Sequence, residues 1–173
     1  PLPFTPGLDL AGEIAALGDG VTGWKVGAPV VGGARLGGFA EYAVMDPRAL
    51  KPKPERLSYA EAAAYGAAYL TAYVALVRRA QLQPGEWVLV HGAAGGVGLA
   101  AVDMAKALGA RVIAASASDE KLAMVAAEYA PDAIVNVTGG FREKVKEITG
   151  GRGADVIYDP VGGDIFDEST RCI

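Results

Sequence analysis

The chain has 173 residues, is 51% hydrophobic and sets 16 Lys and Arg against 20 Asp and Glu, a formal net charge of −4. Length and apolar content suit one domain or two small ones with a buried core, and mixed charge without a Lys/Arg block excludes nucleic acid or an anionic membrane as the main partner. Apolar stretches are broken by Gly, Pro or charge before membrane-spanning length, no segment has signal-peptide layout, and the single cysteine, Cys172, cannot close an internal disulfide, so a cytoplasmic setting is expected.

The sequence opens at "PLPFTPG" without a start methionine and reads as a piece of a longer protein. From Thr5 to about Pro54, short runs such as "LDLAGEIAAL", "APVVGG" and "GFAEYAVM" alternate with Gly, Pro and Asp, the pattern of short antiparallel strands. At Ser58 the texture turns helical. Ser58 with Glu61 three residues on has capping-box spacing, and Gly66 offers a break that would divide the helical stretch in two. "QPGE" at Gln83–Glu86 ends it.

Beyond this turn the chain alternates strictly. Strands "WVLVHG", "RVIAAS", "AIVNV" and "ADVIYDPV" are separated by helices "VGLAAVDMAKALG", "SDEKLAMVAAEY" and "FREKVKEIT". The strands are continuous apolar runs, as helices on both faces of a parallel sheet require. The helices carry apolar residues at three- and four-residue spacing, for example Val97, Ala101, Met104 and Leu108. The expected fold is α/β: a β region over residues 1–56, then a doubly wound parallel sheet over residues 57–173.

The first strand of this series runs into "HGAAGGVG", His91 to Gly98. A strand entering glycines and then a helix offers backbone N–H groups and the positive end of a helix dipole to an anion. In the dinucleotide fingerprint G-x-G-x-x-G the aligned residues here are Ala93, Gly95 and Gly98, so the first position is alanine. Close packing alone would also select glycine, but a β-turn-α-β setting favours a bound pyrophosphate. An acid about 20 residues later would hold the ribose diol of NAD. Ala114 to Ser118 are uncharged and Lys121 follows, which favours NADPH. Against this, Ser118 is also a plausible N-cap, and Asp119 stands nearby.

The segment from Leu70 to Leu122 resembles the zinc-independent quinone oxidoreductases, the zeta-crystallin-like branch of the medium-chain dehydrogenase/reductase superfamily. The resemblance extends to "PFTPGLDLAGEIAALGDGV" and "GGFAEYAV", which look like part of a GroES-like catalytic domain, and to "GGRGADVIYDPVGG", which looks like the fourth Rossmann strand and its loop. It implies a partial GroES-like β domain followed by a partial Rossmann domain. It also implies that Gly95, Gly96 and Val97 line the pyrophosphate, with Ser118 and Lys121 at the 2′-phosphate. Ser116 stands where NAD-preferring relatives carry aspartate. Thr71 is implied beside the nicotinamide, though a helix hydroxyl bonded to its own backbone is as good a reading, and Val161 and Gly162 lie near the same ring. Two departures stand out: Val137 replaces a tyrosine that helps hold the 2′-phosphate ribose, and Ala28-Pro29 replaces Asp-Arg.

No zinc site is expected. A catalytic zinc needs three protein ligands and a structural one usually four. Leu8 stands where the superfamily's zinc enzymes carry histidine, and one cysteine supplies no cluster. His91, the only histidine, is expected to be buried and hydrogen-bonded. No residue stands out as a required acid or base, and packing is the better reading of Tyr42, Tyr65, Tyr69 and Tyr73. The expected activity is NADPH-dependent, zinc-independent hydride transfer to a small-molecule acceptor, a quinone or an α,β-unsaturated carbonyl. A homodimer is implied for the full-length protein and an inactive state for the isolated piece. The alternatives are an enoyl reductase domain of a fatty-acid or polyketide synthase and a non-catalytic NADPH-binding protein.

Overall fold

The computed structural model describes residues 2–173. The chain divides into two compact units, one ending at Ala67 and the other running from Ala68 to Ile173.

In the first unit, β1 (Asp9–Glu13), β2 (Pro29–Gly33) and β3 (Leu50–Pro52) form an antiparallel sheet in the order β1-β2-β3. Leu10 lies opposite Gly32, and Val31 lies opposite both Ala11 and Lys51. Ile14, Ala28 and Val30 make a small core, with Trp24 and Leu50 packed on it. "GFAEYAVM" is not a strand. Its Phe39, Tyr42 and Val44 are exposed. Its alternation suits a strand, but no described strand offers it a ladder, and unpaired extended chain has no sheet hydrogen bonds to hold it.

α1 (Tyr59–Tyr73) begins as its sequence dictates. The Ser58 N–H donates to Glu61 Oε2 at 2.8 Å while the Glu61 N–H donates to Ser58 Oγ at 3.2 Å, a closed capping box. Gly66 does not break the helix. A side chain there would begin 3.1 Å from Asp9 Oδ1, so the glycine admits the carboxylate of β1. Beyond Tyr73 the helix widens into a π-helical turn over Val74–Arg79, where the Ala80 N–H donates to Ala75 O at 2.8 Å. The helical run Tyr59–Arg79 reaches 21 residues and is long and apolar enough, by length and composition, to cross a bilayer. The expectation of short, broken apolar stretches is corrected there, because Gly66 does not interrupt it.

The second unit contains the parallel sheet. β4 (Trp87–Val90), β5 (Arg111–Ser116), β6 (Ala133–Asn136) and β7 (Val156–Tyr158) lie in the order β6-β5-β4-β7. Every pairing is parallel, with Leu89 opposite both Ile113 and Ile157. α2 (Gly96–Ala107), α3 (Asp119–Tyr129) and α4 (Arg142–Ile148) are the crossovers, and α5 (Asp164–Ser169) follows β7. Strand residues alternate between two cores. Val88, Val90, Val112 and Ala114 join Ala101, Ala105 and Leu76. Leu89, Ile113 and Ala115 join Val135, Phe141, Val145 and Cys172. Both faces are covered, which explains why the strands read as unbroken apolar runs. The strand order reverses between β4 and β7, the place where open α/β sheets bind ligands.

Candidate functional site

The site grows from the end of β4. His91 donates its backbone N–H to Tyr158 O, Ala93 donates to Ala115 O at 3.0 Å, and Gly95 donates to Gly92 O at 2.8 Å. These bonds stitch the turn to β7 on one side and to β5 on the other. Gly92 takes φ +59°, a conformation side chains disfavour. Gly98 is glycine for another reason. A Cβ there would overlap the Gly92 carbonyl oxygen and stand 2.8 Å from Ala93 Cα, so the first turn of α2 lies directly against the backbone of the glycine turn. Gly96 is the converse, since a Cβ there would meet nothing within 4 Å. The turn is therefore tight behind and open in front.

α2 starts at Gly96, with Gly95 as an extended N-cap that has no side chain to satisfy the first turn. The N–H groups of Gly96, Val97 and Gly98 find no backbone acceptor among the described residues outside the helix. Gly96 is exposed and Gly98 buried, so Gly96 and Val97 supply the accessible donors. Gly95 lends shape alone, because its amide is spent on Gly92 O. A cradle with open donors and no side chain in front of Gly96 fits a pyrophosphate.

At the end of β5, Ser116 Oγ accepts the Ser118 N–H at 3.4 Å and Ser118 Oγ accepts the Lys121 N–H at 3.3 Å. Ser118 is thus the N-cap of α3, while both hydroxyl protons remain outside these two bonds. The Lys121 side chain is exposed one turn into α3. Asp119, the acid that complicated the cofactor reading, accepts a hydrogen bond from Asn136 Nδ2 at 2.6 Å. Sequence reasoning had no signal for that partner on β6. Val137 donates its N–H to Ser116 O and packs its side chain into the second core, so it offers the site no polar group.

Pro160 and Val161 reach the turn from β7, and Gly162 follows them in the same loop. Val161 Cγ2 and Pro160 Cγ lie 3.5 and 3.7 Å from the Cβ position of Gly92, and Val161 is exposed. The structure therefore gathers the glycine turn, the Ser116–Lys121 segment and the Val161–Gly162 loop at one end of the sheet. Thr71 lies on α1 with an exposed side chain and makes no hydrogen bond to the turn among the described residues. Of the four tyrosines, Tyr69 packs on the first core and donates to Asp103 Oδ2 at 2.6 Å; burial, then that bond, raises its pKa. Tyr65 and Tyr73 are partly exposed, and Tyr42 is 81% exposed, so packing does not describe Tyr42.

His91 is 1% exposed. Its Nε2 shares a 2.8 Å hydrogen bond with Ser169 Oγ, and its ring meets Phe141 edge-on at 4.9 Å. Burial lowers its pKa against the opposing pull of Asp159 and Glu168, so it is held neutral. Sequence reasoning missed Glu168. Its Oε1 accepts the Phe141 and Arg142 N–H groups at 2.7 and 2.9 Å and so caps α4.

Two family models match the chain. Residues 1–55 match the alcohol dehydrogenase GroES-like domain, and residues 96–173 match the zinc-binding dehydrogenase model. The quinone oxidoreductase-like protein 2 homolog of Nematostella vectensis is 44% identical over 99% of this chain and 47% of its own length. The structure of Escherichia coli quinone oxidoreductase complexed with NADPH is 35% identical with a TM-score of 0.89, covering 99% of this chain and 53% of that one. The CurK enoyl reductase structure is 34% identical with a TM-score of 0.90, covering 98% and 51%. The chain spans about half the length of the curated relatives it matches. The zinc in one model's name meets a poor donor set here. His91 is committed to Ser169, Cys172 is buried, and no three His, Cys, Asp or Glu side chains converge among the described residues. Its sheet order, glycine turn and relatives place the chain in the medium-chain dehydrogenase/reductase superfamily, among the quinone oxidoreductase-like proteins.

Proposed function

We propose that the protein is a zinc-independent, NADPH-dependent oxidoreductase that reduces quinones or α,β-unsaturated carbonyls. The observation that carries the cofactor reading is the end of β5. Ser116, Ser118 and exposed Lys121 stand beside the glycine cradle where an acid would favour NAD, and the nearby Asp119 is engaged by Asn136. The bound NADPH complex of the Escherichia coli relative supports the same choice. When bound, the nicotinamide supplies the hydride. The chain's own part is to hold and orient. The Gly96 and Val97 N–H groups meet the pyrophosphate, Lys121 and the serine hydroxyls meet the 2′-phosphate, and the Val161–Gly162 loop borders the far half. An acceptor already electron-poor needs no Lewis acid, which suits the donor set described above.

Titration of the full-length protein by fluorescence tests this. NADPH should bind more tightly than NADH. Lys121→Ala should cost about tenfold for NADPH, the size of one charge-assisted hydrogen bond, and little for NADH. Ser116→Asp should move the preference toward NADH. Equal loss for both cofactors in Lys121→Ala would remove Lys121 from the 2′-phosphate. A second reading, an enoyl reductase, is supported by the likeness to CurK. An enoyl thioester turned over in preference to 1,4-benzoquinone would select it.

A further inference from the structure

β4 and β7 run parallel with Val90 opposite Tyr158, and the His91 N–H donates to Tyr158 O at 2.9 Å. The next pair in that register is His91 and Asp159. Residues two apart on a strand share a face. The two side chains therefore leave the sheet together on the face of Leu89 and Ile157, where Phe141 packs on the His91 ring.

Each of the two has a polar atom without a partner. Asp159 Oδ1 accepts the N–H groups of Val161 at 2.8 Å and Gly162 at 3.0 Å, which closes the loop on itself, but Oδ2 is buried and makes no hydrogen bond. His91 is 1% exposed and uses Nε2 on Ser169 Oγ, while Nδ1 has no partner among the described residues. A buried carboxylate oxygen without a donor is costly. An imidazolium carries both N–H donors, so it can hold Ser169 and Oδ2 at once, and the second bond is then charge-assisted. The charged groups that act on His91 are Asp159 and, from α5, Glu168. Glu168 holds the Phe141 and Arg142 N–H groups of α4 and is faced by Arg171, and Cys172 adds a buried thiol to the same core. Burial keeps His91 neutral near pH 7 in spite of both carboxylates. The loop that Asp159 closes also touches the glycine turn, with Val161 Cγ2 3.5 Å from the Cβ position of Gly92.

We propose that His91 and Asp159 form a proton-operated latch on the loop after β7. In acid, His91 takes a proton from water onto Nδ1 and donates it to Asp159 Oδ2 as a hydrogen bond. The carboxylate, drawn toward the ring, loosens its hold on the Val161 and Gly162 N–H groups. No other bond forms or breaks covalently. The latch stands apart from the dinucleotide reading, whereas its consequence, weaker NADPH binding in acid, rests on it.

The test is an NMR titration of full-length protein from about pH 8 to about pH 5, bracketing the ordinary histidine range. The His91 ring signals are assigned by their absence in His91→Gln. In the unaltered protein the Val161 and Gly162 amides should move with the His91 midpoint. Asp159→Asn keeps an acceptor for the loop and removes the charge, so His91 should titrate about one pH unit lower or more. Glu168→Gln leaves the loop bonds in place, so the two amides should still follow His91. If Asp159→Asn folds poorly, the amides of the unaltered protein decide alone. Amides that stay flat through the His91 transition, a midpoint unmoved by Asp159→Asn, or a His91 that takes no proton by the acid end would each overturn the latch. In parallel, NADPH affinity should fall more steeply with acid in the unaltered protein than in His91→Gln. Equal falls would overturn the link from latch to cofactor. Failure to bind NADPH at any pH would overturn the dinucleotide reading, with the NMR result still deciding the latch.

Discussion

Gly98 and Gly96 separate two uses of glycine within one turn. Gly98→Ala forces a methyl into Gly92 O and Ala93 Cα, which are backbone and cannot rotate away. We expect a loss of at least about 1–3 kcal/mol of stability, as for overpacking, with cofactor binding lost alongside, read by urea unfolding and titration. Gly96→Ala meets open space, so stability should hold while the methyl intrudes on the proposed pyrophosphate cradle, and NADPH affinity should fall. A Gly96→Ala variant that binds NADPH normally would mean that the cradle lies elsewhere. His91 gives a pH test. Its folded pKa is lowered by burial, so the unfolded chain binds the proton more readily. Its contribution is therefore complete above the unfolded value, near 6.5, and is lost as pH falls below it. Melting temperature should decline below about pH 6.5, and His91→Gln should flatten that part of the profile.

At the scale of elements, Glu168 on α5 fixes the start of α4, and Phe141, its N-cap position, is buried. Burial pushes the Glu168 carboxyl up, but the Arg142 and Phe141 N–H bonds outweigh it and the net pKa is lowered. Glu168→Ala should cost about 1–2 kcal/mol, the range of a helix cap, and Glu168→Gln less, measured by urea unfolding at pH 7. The wild-type advantage should shrink as acid protonates Glu168, because its stabilisation exists above the unfolded carboxyl pKa and is lost through the lowered folded one. What the sequence revealed and what it hid divide along this line. The capping box at Ser58 and Glu61, the four parallel strands and the glycine turn are local patterns, and each stands where its residues put it. Glu168 capping α4, Asp119 under Asn136 and Asp9 against Gly66 join residues far apart in sequence. No periodicity encodes such pairs. Gly66 looked like a helix breaker because propensity sees the missing side chain and not the carboxylate that fills its place. "GFAEYAVM" failed as a strand for a related reason, since alternation describes a face and not a pairing partner.

At the scale of the molecule, the proposed function assigns to the parallel sheet the adenosine and pyrophosphate side of a dinucleotide site. The chain spans about half the length of its relatives. The 173-residue piece alone is expected to bind NADPH weakly and to oxidise it with quinone no faster than buffer. Robust turnover by the piece would place the reaction entirely within these residues. The central claim, a metal-free NADPH-dependent reductase, is tested most directly by following NADPH absorbance with 1,4-benzoquinone and full-length protein dialysed against a chelator. The account predicts protein-dependent oxidation that survives chelation, with kcat/KM higher for NADPH than for NADH. Oxidation that vanishes on chelation and returns with zinc, or that proceeds faster with NADH, would contradict it.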